Sequence, residues 1–119
     1  MILLVTGGRH YDRVLDVFSA LDHYNPDCVI VGGASGADEL AESWSKSRGK
    51  ACMVFDAPWK KHPKAGGPIR NTWMLQYGRP THFLAFPGNR GTADMVTKCE
   101  SSGIVRLKWP LEEGQEDFE

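Results

Sequence analysis

The sequence predicts one three-layer α/β domain, with a mainly parallel sheet of about five strands and helices on both faces. Three observations carry this. Five short apolar runs rich in branched residues recur along the chain. Segments with a helical period lie between them, and three of the runs end in glycine-rich turns. Continuous apolar runs suit strands buried on both faces, and their alternation with helices suits parallel pairing.

The first run is ILLVT (2–6), closed by Gly7 and Gly8. Val14, Phe18 and Leu21 then mark a helix face, with Asp12 as the expected N-cap. CVIVGG (28–33) repeats the strand form and again ends in paired glycines. Ala37, Leu40, Ala41 and Trp44 follow at i, i+3, i+4 and i+7, and Gly49 is the expected stop. ACMVF (51–55) is the third strand. After it comes the longest irregular piece, APWKKHPKAGG (57–67), a length usually tied to function or mobility. Pro68 opens a third helix with Ile69, Trp73 and Tyr77 on one face. Trp44 and Trp73, at helical spacing, are assigned to the core. HFLAF (82–86) is halted by Pro87 and Gly88, and a fourth helix carries Thr92, Val96 and Cys99 before Gly103. IVRLK (104–108) is a weaker fifth strand. Residues 1–109 form the expected domain and 110–119 an acidic tail.

The bulk numbers narrow the function. With 119 residues, 41% of them hydrophobic, a core needs no disulfide or metal to hold it. A formal charge of -1 argues against a general polyanion binder. Five acids lie in the last eight residues, so residues 1–111, with 14 basic and 10 acidic groups, carry +4. Cys28, Cys52 and Cys99 show no CxxC spacing, and the four histidines (His10, His23, His62, His82) show no ligand spacing. No metal and no cofactor is called for. Buried thiols point to a reducing cytoplasm. Met1 leads straight into a strand, so no signal peptide is expected, and no apolar stretch nears the ~20 residues of a membrane span.

TGGRHYD (6–12), GGASGAD (32–38) and PGNRGTAD (87–94) each follow a strand and open a helix. In an open α/β sheet those strand ends share one edge, where ligands bind. Glycine lets the backbone approach a ligand, and a helix N-terminus favours phosphate. A single loop of this kind is as often only a tight connection; three on one edge favour a ligand site. Neither G-x-G-x-x-G nor GxxxxGK[ST] occurs.

Gly7, Gly8, Gly32, Gly33, Gly36, Gly88 and Gly91 are therefore expected to shape a pocket. Arg9, Arg70 and Arg90 offer forked donors to phosphate, and Ser35 and Thr92 offer hydroxyls. Asp38 and Asp94 fall just inside helix starts, where an aspartate either complements the dipole or accepts from a ribose. Lys60, Lys61, His62 and Lys64 make the long loop basic, either as a solvated face or as a cover for an anion. Trp59 in that loop is a candidate for stacking on a base.

Together TGGRHYD, GGASGADELAESW, FDAPWKKHPKAGGPIRN and AFPGNRGTADMV resemble the YspA-like (cpYpsA-related) branch of the SLOG superfamily, from about Met1 to Val105. That superfamily takes in the DprA DNA-processing proteins and the LOG cytokinin-activating phosphoribohydrolases. The resemblance implies a Rossmann-like fold whose glycine loops bind nucleotides or nucleotide-derived molecules, and a homo-oligomer, dimer or larger. Set against the LOG pattern PGGxGTxxE, Pro87, Gly88, Gly91 and Thr92 match and Asn89 replaces the second glycine. Arg70, followed by Asn71 in RNTWM, stands where those enzymes carry an arginine. Met95 occupies the catalytic glutamate position, with Asp94 one residue earlier, about 100° away around the helix.

Three functions are compatible with these residues. The reading preferred on sequence is a protein that senses or sequesters a phosphate-bearing nucleotide or nucleotide-derived ligand. The alternative is a LOG-like hydrolase of an N-glycosidic bond using Arg70 and Asp94, which needs a carboxylate at the ribose. A DprA-like grip on single-stranded nucleic acid is opposed by the overall charge and the acidic tail.

Overall fold

The structure, a computed structural model, describes residues 1–111. From residue 112 on, the expected acidic tail lies outside the described residues. The strands are β1 (Ile2–Thr6), β2 (Cys28–Val31), β3 (Ala51–Val54), β4 (His82–Ala85) and β5 (Val105–Leu107). Between them run α1 (Val14–Tyr24), α2 (Ala37–Arg48), α3 (Gly66–Gly78) and α4 (Arg90–Ser101). Every pairing is parallel, in the order β3-β2-β1-β4-β5. The apolar runs fold as the alternation predicts.

Register explains why the central runs are apolar without interruption. Leu3 pairs with Val29 and Leu4 with Ile30, so neighbours of like orientation line up across the sheet. Leu3, Val5, Val29, Val31 and Leu84 pack with Val17, Ala20, Leu21, Ala41 and Trp44 of α1 and α2. On the opposite face Leu4, Ile30 and Phe83 meet Met74 of α3 and Met95 and Cys99 of α4. Both faces of β1 are thereby removed from water, and each such aliphatic side chain contributes about 1.5–3 kcal/mol. Cys28 and Cys52, less deeply placed than Cys99, are half-buried, and all three thiols are free. No helix among the described residues is long and apolar enough to cross a membrane.

The winding positions the site. From β1 the chain steps to β2 and then β3, with α1 and α2 on one face. It then crosses to β4, on the other side of β1, with α3 and α4 on the opposite face. The reversal falls between β1 and β4. A crevice opens at such a point because the connections leave it in opposite directions.

Two local expectations are corrected. The N-cap of α1 is Arg13, not Asp12, and no side chain caps the helix; Arg13 instead pairs with Asp16 at 2.6 Å. The third helix begins at Gly66, two residues before Pro68, and buries Gly67, Asn71, Met74 and Gly78. Tyr77 is 65% exposed, and Ile69 and Trp73 are only half-buried. The reason is closeness of approach. At Gly78 an added Cβ would come within 2.7 Å of Ile30 Cδ1. The small side of α3 thus lies nearest the sheet and the aromatic side faces outward. Gly49 does stop α2, in the left-handed conformation (φ 66°).

Candidate functional site

The three glycine turns meet, and Gly8 is their junction. Its N–H donates to the Pro87 carbonyl (2.8 Å), and its own carbonyl accepts from Ala37 N–H (3.2 Å). Ser35 Oγ donates to the Arg9 carbonyl at 3.0 Å. A Cβ on Gly36, at φ 77°, would collide with the Gly8 carbonyl oxygen, and one on Gly88 with Gly8 N as well as with Thr92 Oγ1 of its own turn. Glycine at these two positions is therefore set by contact between turns rather than by approach of a ligand. Gly91 differs: nothing lies within 4 Å of where its Cβ would stand.

Above this junction, at the β1–β4 reversal, is a cleft of about 730 Å³. That volume falls within the range of small-molecule sites. Gly7, Gly8 and Arg9 line one side, and Asn89, Arg90, Gly91 and Thr92 at the start of α4 line another. Gly32, Asp38, Arg70 and Asn71 complete the wall, over a floor that includes Thr6 and Met74. Gly33, Ser35 and Trp59 line a second, adjoining cleft instead. Gly36, Pro87 and Gly88 line neither, because they are spent on holding the turns together. Lys60, Lys61, His62 and Lys64 also line neither, and the long loop is wound into turns by His62 N–H to Pro58 O (2.9 Å) and Gly66 N–H to His62 O (2.8 Å).

The arginines divide into two kinds. Arg9 and Arg90 are exposed, and among the described residues no hydrogen bond or ion pair engages their guanidinium groups. Arg70 is committed. Its Nη1 donates to the Gly32 carbonyl and its Nε to Asn71 Oδ1 at 3.0 Å. Burial pushes its pKa down, opposed by the charges of Asp38 and Asp56. Among the described residues no side chain caps α4, as none caps the other three helices, but the start of α4 lines the cleft, so its first N–H groups are left for an acceptor there.

Asp38 is 6% exposed and accepts from Gly32 N–H (3.1 Å) and Ala34 N–H (3.3 Å), both on Oδ2. Desolvation pushes its pKa up from 3.8 to about 6, against the opposing pull of Arg70 and the two amides. A carboxylate poised near neutrality thus borders the cleft.

Asp94 is placed elsewhere. Its Oδ2 accepts from Asn71 Nδ2 (3.0 Å) and from Lys98 Nζ (2.7 Å), and Lys98 also donates to Pro68 O at 2.8 Å. It joins α3 to α4 and lines neither cleft. Met95, at the position of the LOG glutamate, is fully buried beside Leu4, Ile30, Met74 and Phe83. Among the described residues no group of three or more His, Cys, Asp or Glu side chains could hold a metal.

Sequence reasoning missed Asp56, which lines the adjoining cleft, and Thr6 and Ala34. Asp56 directly follows the apolar run 51–55, at the same sheet edge as the glycine turns. Its position was the available signal, and the lack of a neighbouring glycine concealed it.

Known proteins share this arrangement of sequence. The family model described as "YspA, cpYpsA-related SLOG family" matches residues 1–62, which hold β1, β2, β3, two of the three glycine turns, Asp56 and Trp59. The chain is also similar to the Gene 61 protein of Mycobacterium phage D29, at 32% identity over 114 residues, covering 86% of this chain and 90% of that protein. With half its length matched by the family model and a parallel α/β sheet to carry the turns, the chain belongs to the YspA, cpYpsA-related SLOG family.

Proposed function

We propose that the cleft at the β1–β4 reversal binds a nucleotide or nucleotide-derived molecule by its phosphate, and that the protein senses or sequesters this ligand. Membership of the SLOG family is consistent with nucleotide-related binding. The single observation that carries the proposal is the pair of uncommitted guanidinium groups, Arg9 and Arg90, beside the open Gly91 and the uncapped start of α4. Guanidinium forks and free helix amides are the donors that match a phosphate. Asp38, on the same wall, is suited to accept from sugar hydroxyls.

Binding without turnover is the better-supported reading. The glutamate position of the phosphoribohydrolases holds a core methionine, and Asp94 is tied between Asn71 and Lys98. Homo-oligomerisation belongs to the same proposal. After Arg70, α3 carries no charged residue through Gly78, and its outer side shows Trp73 and Tyr77, a composition typical of subunit contacts. Three free thiols fit a reducing, cytoplasmic setting.

Isothermal titration with nucleoside mono- and diphosphates, together with mass spectrometry of any copurifying small molecule, tests the reading. The double variant Arg9→Ala, Arg90→Ala should lose about 10- to 100-fold in affinity at unchanged melting temperature. Unchanged affinity would remove the basis of the proposal. Light scattering should show a dimer or larger species, and a monomer at every concentration would exclude the oligomer.

A further inference from the structure

The adjoining cleft, of about 520 Å³, shares Arg9, Gly32, Ala34 and Arg70 with the main one. The two are compartments of a single depression, and a ligand held by phosphate in the first can extend into the second. Two side chains give the second compartment its character. Trp59 rests on the start of α3, where a Cβ at Gly66 would come within 2.9 Å of its Cε3 and one at Gly67 within 3.3 Å of its Cη2. Those glycines seat the indole from one side, and the residue stays 48% exposed. Asp56 is exposed in the same compartment, with Oδ1 next to Gly33. Among the described residues no hydrogen bond or ion pair engages its carboxylate.

Resting on the proposed nucleotide binding, we infer that this second compartment takes the ligand's base, stacked on Trp59, and that Asp56 selects guanine over adenine. A seated indole face is a general platform for a base, and it discriminates weakly. The discrimination comes from the carboxylate, which can only accept. Guanine presents two adjacent donors, N1–H and the 2-amino group, one for each carboxylate oxygen. Adenine presents one donor, its 6-amino group, next to the N1 lone pair, which would face the second oxygen repulsively. Cytosine has the same donor–acceptor neighbourhood, and uracil flanks its single N–H with two carbonyls. Guanine alone satisfies both oxygens.

Titrating the full chain with GMP, IMP and AMP, and with ribose 5-phosphate as a probe lacking the base, tests this. GMP should bind at least about tenfold more tightly than AMP, with IMP between them because it keeps only N1–H. Asp56→Asn should weaken GMP by about tenfold, tighten AMP because the amide can donate to adenine N1 while accepting from its 6-amino group, and leave ribose 5-phosphate nearly unchanged. Trp59→Ala should weaken all three nucleotides and spare ribose 5-phosphate. Equal binding of GMP and AMP by the unaltered chain, a measurement that needs no variant, would overturn the inference and leave phosphate binding standing. So would an Asp56→Asn variant that weakens GMP and AMP alike, with the same loss on removing the 2′-hydroxyl, since Asp56 would then hold the sugar. Failure of every nucleotide and of ribose 5-phosphate to bind would instead bring down the underlying proposal.

Discussion

Replacing Asp38 with asparagine should stabilise the protein at neutral pH, and the structure sets the size of the gain. The carboxyl is pushed up from 3.8 to about 6 by burial. Because the folded pKa is the higher one, the folded chain holds this proton between about pH 4 and pH 6, where the unfolded chain has released it. Stability from this group is therefore present at acid pH and is lost as pH rises through about 6. A displacement of about two pH units, at ~1.4 kcal/mol for each, is a cost of about 3 kcal/mol at pH 7. Both amide donors reach the same oxygen, Oδ2, so the single oxygen of an asparagine can keep both bonds. Urea denaturation of the two proteins from about pH 4 to about pH 7 isolates the effect, since all other groups cancel in the difference. The Asp38→Asn variant should match the unaltered chain near pH 4 and exceed it by about 3 kcal/mol near pH 7. A constant difference across that range, or a less stable variant at pH 7, would show that Arg70 offsets the desolvation fully. On the proposed nucleotide-binding reading, a carboxylate kept at such a cost on the wall of the cleft serves to contact the bound ligand. The stabilised variant should accordingly bind that ligand more weakly.

Glycines of the two kinds should respond oppositely. Gly36→Ala forces a side chain into φ 77° against the Gly8 carbonyl and should cost about 2 kcal/mol or more, read by denaturation. Gly91→Leu sets its Cβ in open space on the cleft wall, so melting should not fall while calorimetry shows nucleotide binding weakened; a destabilised Gly91→Leu would contradict the open geometry. Met95→Glu, which restores the phosphoribohydrolase residue in sequence, should bury a carboxylate in the core and cost about 3–5 kcal/mol without release of free base from nucleoside monophosphates. A stable Met95→Glu protein that liberates base would show that position 95 reaches the cleft.

How much was legible follows from which forces are local. ILLVT and CVIVGG announced their strands because a strand buried on both faces must be apolar at every position, a pattern visible within five residues. Gly49 was readable as a stop for the same reason, since the left-handed turn it makes depends on its own backbone. The face of α3 was not. Ile69, Trp73 and Tyr77 share one side of the helix, but spacing says nothing about which side a neighbour covers, and the close approach of Gly78 to Ile30 decided it. Position 94 against 95 turned on the same point: a rotation of about 100° sends methionine into the core and aspartate to Asn71 and Lys98.

By itself, then, the sequence determined the alternation of strand and helix, the glycine turns at the strand ends and the basic groups within them. Each of these is written in neighbouring residues. Only the tertiary structure decided that the turns interlock at Gly8, that Arg70 is spent on Gly32 and Asn71 while Arg9 and Arg90 are not, and that Asp56 and Trp59 share a compartment. These are relations between residues far apart along the chain, and strand order and helix packing alone bring them together.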